Sequence, residues 1–308
     1  MNIISIVTPS FNQGKFIEET IKSVLQQKGN FYIDYIIQDS ASKDESIKII
    51  KKYEDMLKKN CRTKKYKGLN FYVKKNKKFK FNKCSGISYR WVSKKDKGQV
   101  DGIKKGFTKS KGNILNWLNS DDIFVGSKVF SKIISYFEKD KQLKIISADG
   151  IQINSAGNKI GVIRVPFLNL KENLFLDYHV LQPSTFIKRE IYRNGYLKDK
   201  YRVAFDAEFF IHLLIDGNKY KKTDDIFSAY RFYPEIKTLS LSKIRYWDQF
   251  FIAITYSKNI FYLLISLVYR YFEIILRQKT NNFIFNYFFI KFRKISYLII
   301  TGKKDRYE

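Results

Sequence analysis

Short apolar runs alternate with amphipathic segments along the first half of the chain. Residues 3–7 and 32–39 are largely apolar runs typical of buried strands, and a polar turn follows each. Residues 17–27 and 40–57 instead carry apolar side chains at helical spacing, with Ser and Asp near the start of the second segment. The order strand, polar loop, helix and strand predicts a parallel α/β unit.

Polar residues follow three of the predicted strands, at residues 8–12, 39–44 and 119–122. In parallel α/β sheets, ligands bind beyond the carboxyl ends of the strands. The third position reads NSDD, and its neighbouring carboxylates, Asp121 and Asp122, repel each other unless a cation, a cap or water relieves the repulsion. A simpler interpretation of this stretch alone is a turn or a helix start, because Asn, Ser and Asp are common at both.

The second half of the chain is less regular. Residues 58–83 contain twelve Lys and Arg and no acid, which predicts a solvated basic insertion with a short strand at 69–73. Two strands joined by a turn at 155–158 and a helix that ends at Gly217 are predicted next. From about residue 241 the pattern indicates long helices rich in apolar, aromatic and basic side chains.

The charge and the cysteine content limit the class of protein. The formal net charge is +29, which suits a polyanionic partner such as nucleic acid, an anionic membrane face or a phosphorylated substrate. Two cysteines, Cys61 and Cys84, argue against a disulfide scaffold and favour a reducing cytoplasm. The sequence predicts neither a signal peptide nor a run of about 18–20 apolar residues that would span a membrane.

Carboxylates at several strand ends indicate a site for a nucleotide diphosphate and a metal ion. A diphosphate leaving group needs its charge neutralised as the bond to it breaks. Mg²⁺ or Mn²⁺ held by one or two carboxylates supplies this charge while leaving positions for phosphate oxygens.

Six ordered stretches carry a resemblance to a known family. They read SIVTPSFNQGKFIEETIKSVLQQ, DSASKDESIKIIKKYED, KKDKGQVDGIKKGF, GNILNWLNSDD, QPSTFIKREIY and FDAEFFIHLL. In this order they resemble the motifs of family 2 glycosyltransferases, in the bacterial branch that builds cell-surface polysaccharides, over about residues 3–233. The resemblance implies an α/β fold of the GT-A type, a Rossmann-like nucleotide-diphospho-sugar transferase domain over residues 1–240, with 58–83 as an insertion. A helical C-terminal extension would occupy residues 241–308.

The resemblance also implies the roles of individual residues. Asp121 would be the main ligand of Mn²⁺ or Mg²⁺, with Asp122 beside it, and Asp206 would be the catalytic base. Gln182, Pro183 and Glu208 would lie on the acceptor side. The nucleotide-sugar donor would contact Thr8, Pro9, Ser10, Asn12, Asp39, Asp44, Asp96, Gly98, Gln99, Asp101, Asn119, Ser120 and Asp122.

One departure from the family and one local alternative affect these assignments. Asn119 stands where the first acid of the family's DxD motif is expected, which leaves fewer anionic ligands for the metal. Asp206 opens an apolar helical stretch, so it has a purely structural alternative as the N-cap of that helix.

The resemblance implies an inverting glycosyltransferase for hexosyl or N-acetylhexosaminyl groups. The donor would be a nucleotide-diphosphate sugar, with UDP favoured, and the acceptor a hydroxyl of a polyprenyl-diphosphate-linked or cell-surface glycan. Two alternatives remain: a nucleic-acid-binding protein with a basic surface, and a nucleotidyltransferase on a related fold. The latter would need a basic phosphate-binding loop near the N-terminus, where the loop at residues 8–16 holds only Lys15.

The C-terminal segment suggests where such a protein would act. Residues 243–308 contain twelve Lys and Arg against four acids, interleaved with aromatic side chains. This composition suits a peripheral contact with the inner face of the plasma membrane. A helical cap that packs on the protein or on a second subunit is the alternative.

Overall fold

The computed structural model describes residues 1–75, 79–81, 83–167, 169–176, 178–201, 203–236, 241–278 and 283–303. The strands are β1 (Ile3–Ser10), β2 (Tyr32–Asp39), β3 (Cys61–Tyr66), β4 (Leu69–Lys74), β5 (Gly86–Ser93), β6 (Ile114–Trp117), β7 (Ile123–Phe124), β8 (Ile145–Ile153), β9 (Lys159–Ile163), β10 (Thr185–Lys188) and β11 (Tyr220–Arg231). The helices are α1 (Ile17–Leu25), α2 (Ser46–Asn60), α3 (Gln99–Lys109), α4 (Val129–Lys139), α5 (Leu170–Phe175), α6 (Phe205–Ile215), α7 (Ser242–Tyr256), α8 (Ile260–Gln278) and α9 (Phe283–Thr301).

A single mixed sheet runs in the order β3-β4-β5-β2-β1-β6-β10-β8-β11-β7, with β9 paired to β8. Its centre, β5-β2-β1-β6, is parallel, as the sequence predicts. Ser10 of β1 pairs with Asp39 of β2, so these strands end at the same level. The loops that follow β1, β2 and β6 therefore lie along one edge of the sheet, where ligands of parallel α/β sheets bind.

The central strands are buried on both faces because helices cover the sheet. All eight residues of β1 and all eight of β2 are buried, which explains their nearly continuous apolar sequence. Helix α3 packs directly against β1 and β2. Its close approach requires Gly106, since a Cβ atom at that position would lie 2.3 Å from Cγ1 of Val7. This packing fixes the N-terminal end of α3 near the carboxyl ends of β1 and β2.

The basic segment 58–83 is an extension of the sheet and not a solvated loop. Residues 58–60 complete α2, and β3 and β4 form a hairpin that pairs with β5. The strand predicted at 69–73 is thus confirmed, while residues 76–78 and 82 lie outside the described residues. The exposed side chains of Arg62, Lys64 and Lys65 line the edge strand β3, where charge discourages pairing with another chain.

The chain divides into two compact units. The first comprises Met1–Arg164, Leu181–Gly195 and Asn218–Phe232, and the second comprises Val165–Val180, Tyr196–Gly217 and Tyr233–Glu308. Helices α7–α9 therefore share a unit with α5 and α6. The predicted boundary at residue 240 falls in residues 237–240, outside the described part of the chain. No helix in the described ranges is both long and apolar enough to cross a bilayer.

Candidate functional site

Hydrogen bonds join the loops that follow β1 and β2. The backbone N–H of Asn12 donates to Oγ of Ser42 at 2.8 Å, and the N–H of Lys43 donates to Oδ1 of Asn12 at 2.9 Å. The N–H of Gly14 donates to Oδ2 of Asp44 at 2.7 Å. Partial burial would raise the pKa of the Asp44 carboxyl, but hydrogen bonds from Ser46 and from the N–H of Gly14 lower it below its ordinary value. Asn12 has φ +50°, a left-handed conformation that Asn tolerates better than most residues. Asn12 and Asp44, both predicted as site residues from the sequence, therefore connect the two loops by hydrogen bonds.

The buried carboxylate of Asp39 also holds the loop after β2 by hydrogen bonds. Its carboxylate is buried and accepts from Oγ of Ser42 at 2.5 Å, from the N–H of Ser42 at 2.9 Å and from Oγ of Ser93 at 2.6 Å. A carboxylate offers about four acceptor positions. Three of these positions are occupied within the chain, and the uracil or ribose contact that the resemblance implies for Asp39 stays a prediction.

The N-terminal end of α3 supplies a third group of predicted residues. Oδ1 of Asp96 accepts from Oγ of Ser40 at 2.8 Å and from the N–H of Gly98 at 2.9 Å. Gly98 has φ +119°, a conformation that favours glycine. The Lys105 ammonium, 2.6 Å from Asp101, is the main cause that lowers the pKa of that carboxyl. These contacts attach the start of α3 to the loop after β2.

The acidic turn, residues 119–122, follows β6. It is a turn rather than a helix start, since the N–H of Asp122 donates to the carbonyl of Asn119 at 3.1 Å and β7 begins at once. Oδ1 of Asn119 accepts from Nε2 of Gln99 at 2.9 Å, which links the turn to α3. Asp122 is buried and Asp121 is half-buried. Burial, followed by the neighbouring charge of Asp121, raises the pKa of the Asp122 carboxyl well above its ordinary value.

Arg231, at the end of β11, holds the acidic turn in place. Its side chain is fully buried, and its Nε donates to the backbone carbonyl of Asp121 at 2.9 Å. Its Nη2 donates to Oε2 of Glu19 at 2.7 Å, and its guanidinium lies 4.7 Å from the ring centroid of Phe16. Its own backbone N–H donates to Oδ1 of Asp122 at 3.0 Å. Arg231 was not predicted from the sequence, although a single cation at the end of the largely apolar run 226–230 was a usable signal.

The acidic turn supplies too few ligands for a metal ion unless a substrate supplies the others. No group of three or more His, Cys, Asp or Glu side chains that could hold a metal occurs among the residues that the structure describes. Mg²⁺-type ions commonly use one or two carboxylates plus substrate phosphates, and Asp121 with Asp122 matches this donor set. Asp121 is the more accessible of the two, because Asp122 is buried, with Oδ1 accepting from the N–H of Arg231 and Oδ2 lying 3.4 Å from Nδ2 of Asn119.

The remaining donor-side residues lie at the same edge of the sheet. Thr8, Pro9 and Ser10 are the last three residues of β1, and Oγ1 of Thr8 lies 3.2 Å from the hydroxyl of Tyr35. Ser120 is buried inside the acidic turn. The structure therefore brings the whole predicted donor set together in the first unit.

Gln182 and Pro183 lie beside the end of β6, in a short 3₁₀ helix. Nε2 of Gln182 donates to the carbonyl of Trp117 at 2.6 Å, and the carbonyl of Pro183 accepts from Nδ2 of Asn116 at 3.4 Å. Both residues are thus attached to the strand that leads into the acidic turn. Their acceptor role stays a prediction.

Asp206 lies in the second unit, at the second residue of α6. Oδ1 of Asp206 accepts from the N–H of Ala207 at 2.8 Å within the first turn, but the N-cap residue is Ala204, so the N-cap alternative for Asp206 is wrong. Instead, Oδ2 of Asp248 accepts from the N–H groups of Val203 and Ala204 at 3.0 and 3.3 Å. Burial raises the pKa of Asp206 to about 6, although hydrogen bonds and the charge of Arg245 act in the opposite direction.

Glu208 is a buried carboxylate that joins α6 to α7. Its Oε1 accepts from Nζ of Lys198 at 2.7 Å and from the hydroxyl of Tyr256 at 2.8 Å, and Nδ1 of His212 lies 3.0 Å from the same hydroxyl. The Glu208 carboxylate is thus already engaged by the Lys198 ammonium within the second unit. Its acceptor-side role stays a prediction.

Comparisons with known proteins also indicate a glycosyltransferase. A family model described as Glycosyl transferase family 2 matches residues 5–195, more than half of the chain. An uncharacterized glycosyltransferase of Mycoplasma genitalium is 31% identical over 140 residues, covering 45% of this chain and 37% of the relative. One of Mycobacterium tuberculosis is 24% identical over 131 residues, covering 42% and 38%. The chain thus matches less than half the length of these curated relatives.

Solved structures share the fold. Staphylococcus aureus TarS in complex with UDP-GlcNAc has a TM-score of 0.59 at 14% identity, covering 97% of this chain and 82% of that one. The mannosyltransferase PcManGT of Pyrobaculum calidifontis, in complex with GDP-Man and Mn²⁺, has a TM-score of 0.54 at 11% identity, covering 87% and 69%. At these identities the likeness concerns the fold alone, and together with the family match it confirms the predicted GT-A type.

Proposed function

Because the chain belongs to glycosyl transferase family 2, we propose that it transfers a sugar from a nucleotide-diphosphate donor to a hydroxyl group of an acceptor. The observation that carries this proposal is the hydrogen-bonded group of loops after β1, β2 and β6, which ends at Asp121 and Asp122. UDP is the favoured nucleotide, since the TarS structure contains UDP-GlcNAc. Because the PcManGT structure contains GDP-Man, GDP-sugars are tested as well.

The donor-side residues would act by position and charge. The loop joined through Asn12 and Asp44 would receive the nucleotide, with Asp39 beneath it. Asp121 and Asp122 would face the diphosphate, and Arg231 keeps their turn in one conformation. A divalent cation bound there would neutralise charge on the leaving diphosphate.

On the acceptor side, Asp206 would be the general base of an inverting displacement. The acceptor oxygen forms a bond to the anomeric carbon, the bond from that carbon to the diphosphate breaks, and the hydroxyl proton passes to the Asp206 carboxylate. A pKa of about 6 suits this role, because a base works best when its pKa is close to the operating pH. Glu208, already paired with Lys198, is the weaker candidate.

The acceptor that we propose is a polyprenyl-diphosphate-linked or cell-surface glycan at the inner face of the plasma membrane. The resemblance to the polysaccharide-building branch and the formal net charge of +29 both support an anionic, membrane-associated acceptor. The sugar would be a hexose or an N-acetylhexosamine.

A donor screen tests the proposal. The full chain is incubated with UDP-, GDP- and dTDP-sugars and Mn²⁺, and release of the nucleoside diphosphate is measured with and without a chelator. We expect metal-dependent turnover of a UDP-sugar, together with thermal stabilisation by UDP and Mn²⁺. Absence of both effects, combined with salt-sensitive binding of single-stranded DNA, would instead support the nucleic-acid alternative.

A further inference from the structure

Two of the last three helices expose matching stripes of apolar side chains. On α7 the exposed residues are Ile244, Trp247, Phe251 and Ile254, and on α8 they are Phe261, Leu264, Val268 and Tyr271. Both sets are spaced three, four and three residues apart, which places each set along one side of its helix. A stripe of this kind normally faces the protein interior, yet here the side chains are between 36% and 63% exposed.

The opposite sides of these helices are buried and partly polar. Gln249, Ser266, Arg270 and Ser296 are all buried. Nη1 of Arg270 donates to Oε1 of Gln249 at 2.7 Å. A helix on the surface of a protein in water usually turns its polar side outward. Helices α7–α9 thus bury polar side chains beside apolar ones such as Ile252 and Tyr269, while stripes of apolar side chains stay exposed.

The helices α7–α9 form one layer, here called the helix layer. Helix α8 packs against both α7 and α9, and all three contact α5. On the buried side, Nη2 of Arg270 donates to the carbonyl of Leu174 in α5 at 3.4 Å, and Phe175 packs against Tyr262 with ring centroids 5.2 Å apart. The apolar stripes therefore lie on the outer face of the helix layer, the face away from α5.

The outer face of the helix layer is also positively charged. Lys291 and Lys294 are exposed on α9, interleaved with the exposed residues Ile290, Ile295, Leu298 and Ile299. Lys243 and Lys258 are exposed near the starts of α7 and α8. Within residues 241–278 and 283–303, the acids are Asp248 and Glu273, and both are half-buried. Asp248 accepts from backbone N–H groups before α6, and Glu273 accepts from the Tyr246 hydroxyl at 3.1 Å.

We propose that the outer face of the helix layer docks on an anionic bilayer and lies in its interfacial region without crossing it. Apolar side chains with basic residues among them match the acyl boundary and the anionic headgroups of such a surface. A second copy of the chain is a poorer occupant, because a symmetric interface would place the same lysines near one another. The inference goes beyond the proposed sugar transfer, and its test needs neither donor nor acceptor.

The test is flotation of the full chain with vesicles of phosphatidylcholine, with or without phosphatidylglycerol. We expect binding that requires the anionic lipid and weakens as salt is added. Lys291→Glu combined with Lys294→Glu should weaken binding by at least about tenfold. The matched control is Lys64→Glu combined with Lys65→Glu on β3, which changes the net charge equally on an exposed strand and should bind nearly as the intact chain does.

A second pair of substitutions tests the apolar stripe. Trp247→Ser combined with Phe251→Ser should weaken vesicle binding while leaving the thermal unfolding temperature nearly unchanged, since both side chains are about half exposed. Failure of the intact chain to bind anionic vesicles at low salt would overturn the proposal. Equal losses in the two lysine pairs would overturn it too. So would self-association of the intact chain, seen by light scattering, that the Trp247 and Phe251 substitutions abolish while vesicle binding stays intact.

Discussion

The acidic turn and the helix layer treat their polar side chains in opposite ways. Around the acidic turn, polar groups converge from α1, α3 and β11 and satisfy one another, as in the contacts of Asn119 with Gln99 and of Arg231 with Glu19. In the helix layer, polar residues such as Arg270 are buried, while side chains such as Phe261 and Tyr271 are exposed. The first region has its hydrogen-bonding partners within the chain. The second exposes an apolar face that water does not favour.

This difference separates two ways of preparing a surface for a ligand. Preorganised polar groups suit a small charged ligand, because little reorganisation is needed when it binds. An exposed apolar face suits an extended apolar environment, which stabilises it in proportion to the area removed from water. The contrast can be tested by substitutions in each region.

Among the substitutions of polar residues, removal of the guanidinium at the acidic turn should destabilise the protein most. Arg231→Met takes charged donors away from the carbonyls of Asp121, Asn154 and Ser155 and from Glu19, and we expect a loss of about 2–4 kcal/mol in the free energy of unfolding. Chemical denaturation measures it. Arg231→Lys keeps the charge without the forked donors, and its free energy of unfolding should lie between those of the Met variant and the unchanged chain. Equal stability of the Met variant and the unchanged chain would show that the turn does not depend on Arg231.

Asp121→Asn should abolish the metal dependence of the donor site and leave the fold intact. The side chain is half-buried at a turn, so the unfolding temperature should change little. Turnover of the donor identified by the screen should fall by about 100-fold or more, since one anionic contact to the leaving group is lost. Isothermal titration of UDP with and without Mn²⁺ measures how far UDP binding depends on the metal. Full turnover by this variant in the presence of a chelator would contradict the assignment.

Asp206→Asn should slow the reaction and stabilise the protein. We expect transfer to fall by about 100-fold or more with donor binding retained, because Asn cannot accept the proton. The folded-state pKa, about 6, is raised above the ordinary value of 3.8, so the folded protein loses stability as the pH rises from about 4 through 6. The variant lacks that loss and should be more stable above pH 6 by roughly 1–3 kcal/mol, with no difference near pH 3.

Thermal melts across this pH range and single-turnover transfer measure the two effects. Glu208→Gln is the control for transfer, because its carboxylate already pairs with Lys198. Near-normal transfer by Asp206→Asn together with an inactive Glu208→Gln would move the base to Glu208. An unchanged pH profile of stability would mean that the Asp206 carboxyl is hydrated in the folded protein.

The smallest effect is expected on the outer face of the helix layer. Ile254 is 46% exposed, so Ile254→Ala should change the free energy of unfolding by less than about 0.5 kcal/mol in water. Ile252, two residues earlier on the same helix, is 1% exposed, and Ile252→Ala should cost about 2–5 kcal/mol. Urea denaturation compares the two variants. Equal costs would mean that the outer face is covered in solution.

The sequence allowed prediction of features that depend on local pattern. The strands β1 and β2, the helix that follows each of them and the positions of Asp39 and Asp121 follow from apolar runs, helical spacing and polar turns. Arg231 was missed because its partner Glu19 is 212 residues away, and no local periodicity reports such a contact. The capping of α6 by Asp248 was missed for the same reason. Strand β4 was predicted, but β3 was mistaken for part of a solvated loop, because lysines on an edge strand resemble those of a loop.

The place of β11 has a consequence for biosynthesis. Strand β7, which follows the acidic turn, pairs with β11, and Arg231 is the last residue of β11. A ribosome therefore delivers β1, α1 and the turn long before the strand that completes them. Domain folding during synthesis depends on which segments have already emerged. A nascent chain that ends before residue 231 has the strands of the parallel centre but lacks the contacts that complete the acidic turn, so truncated products of translation should be folded in part and unable to bind the proposed sugar donor.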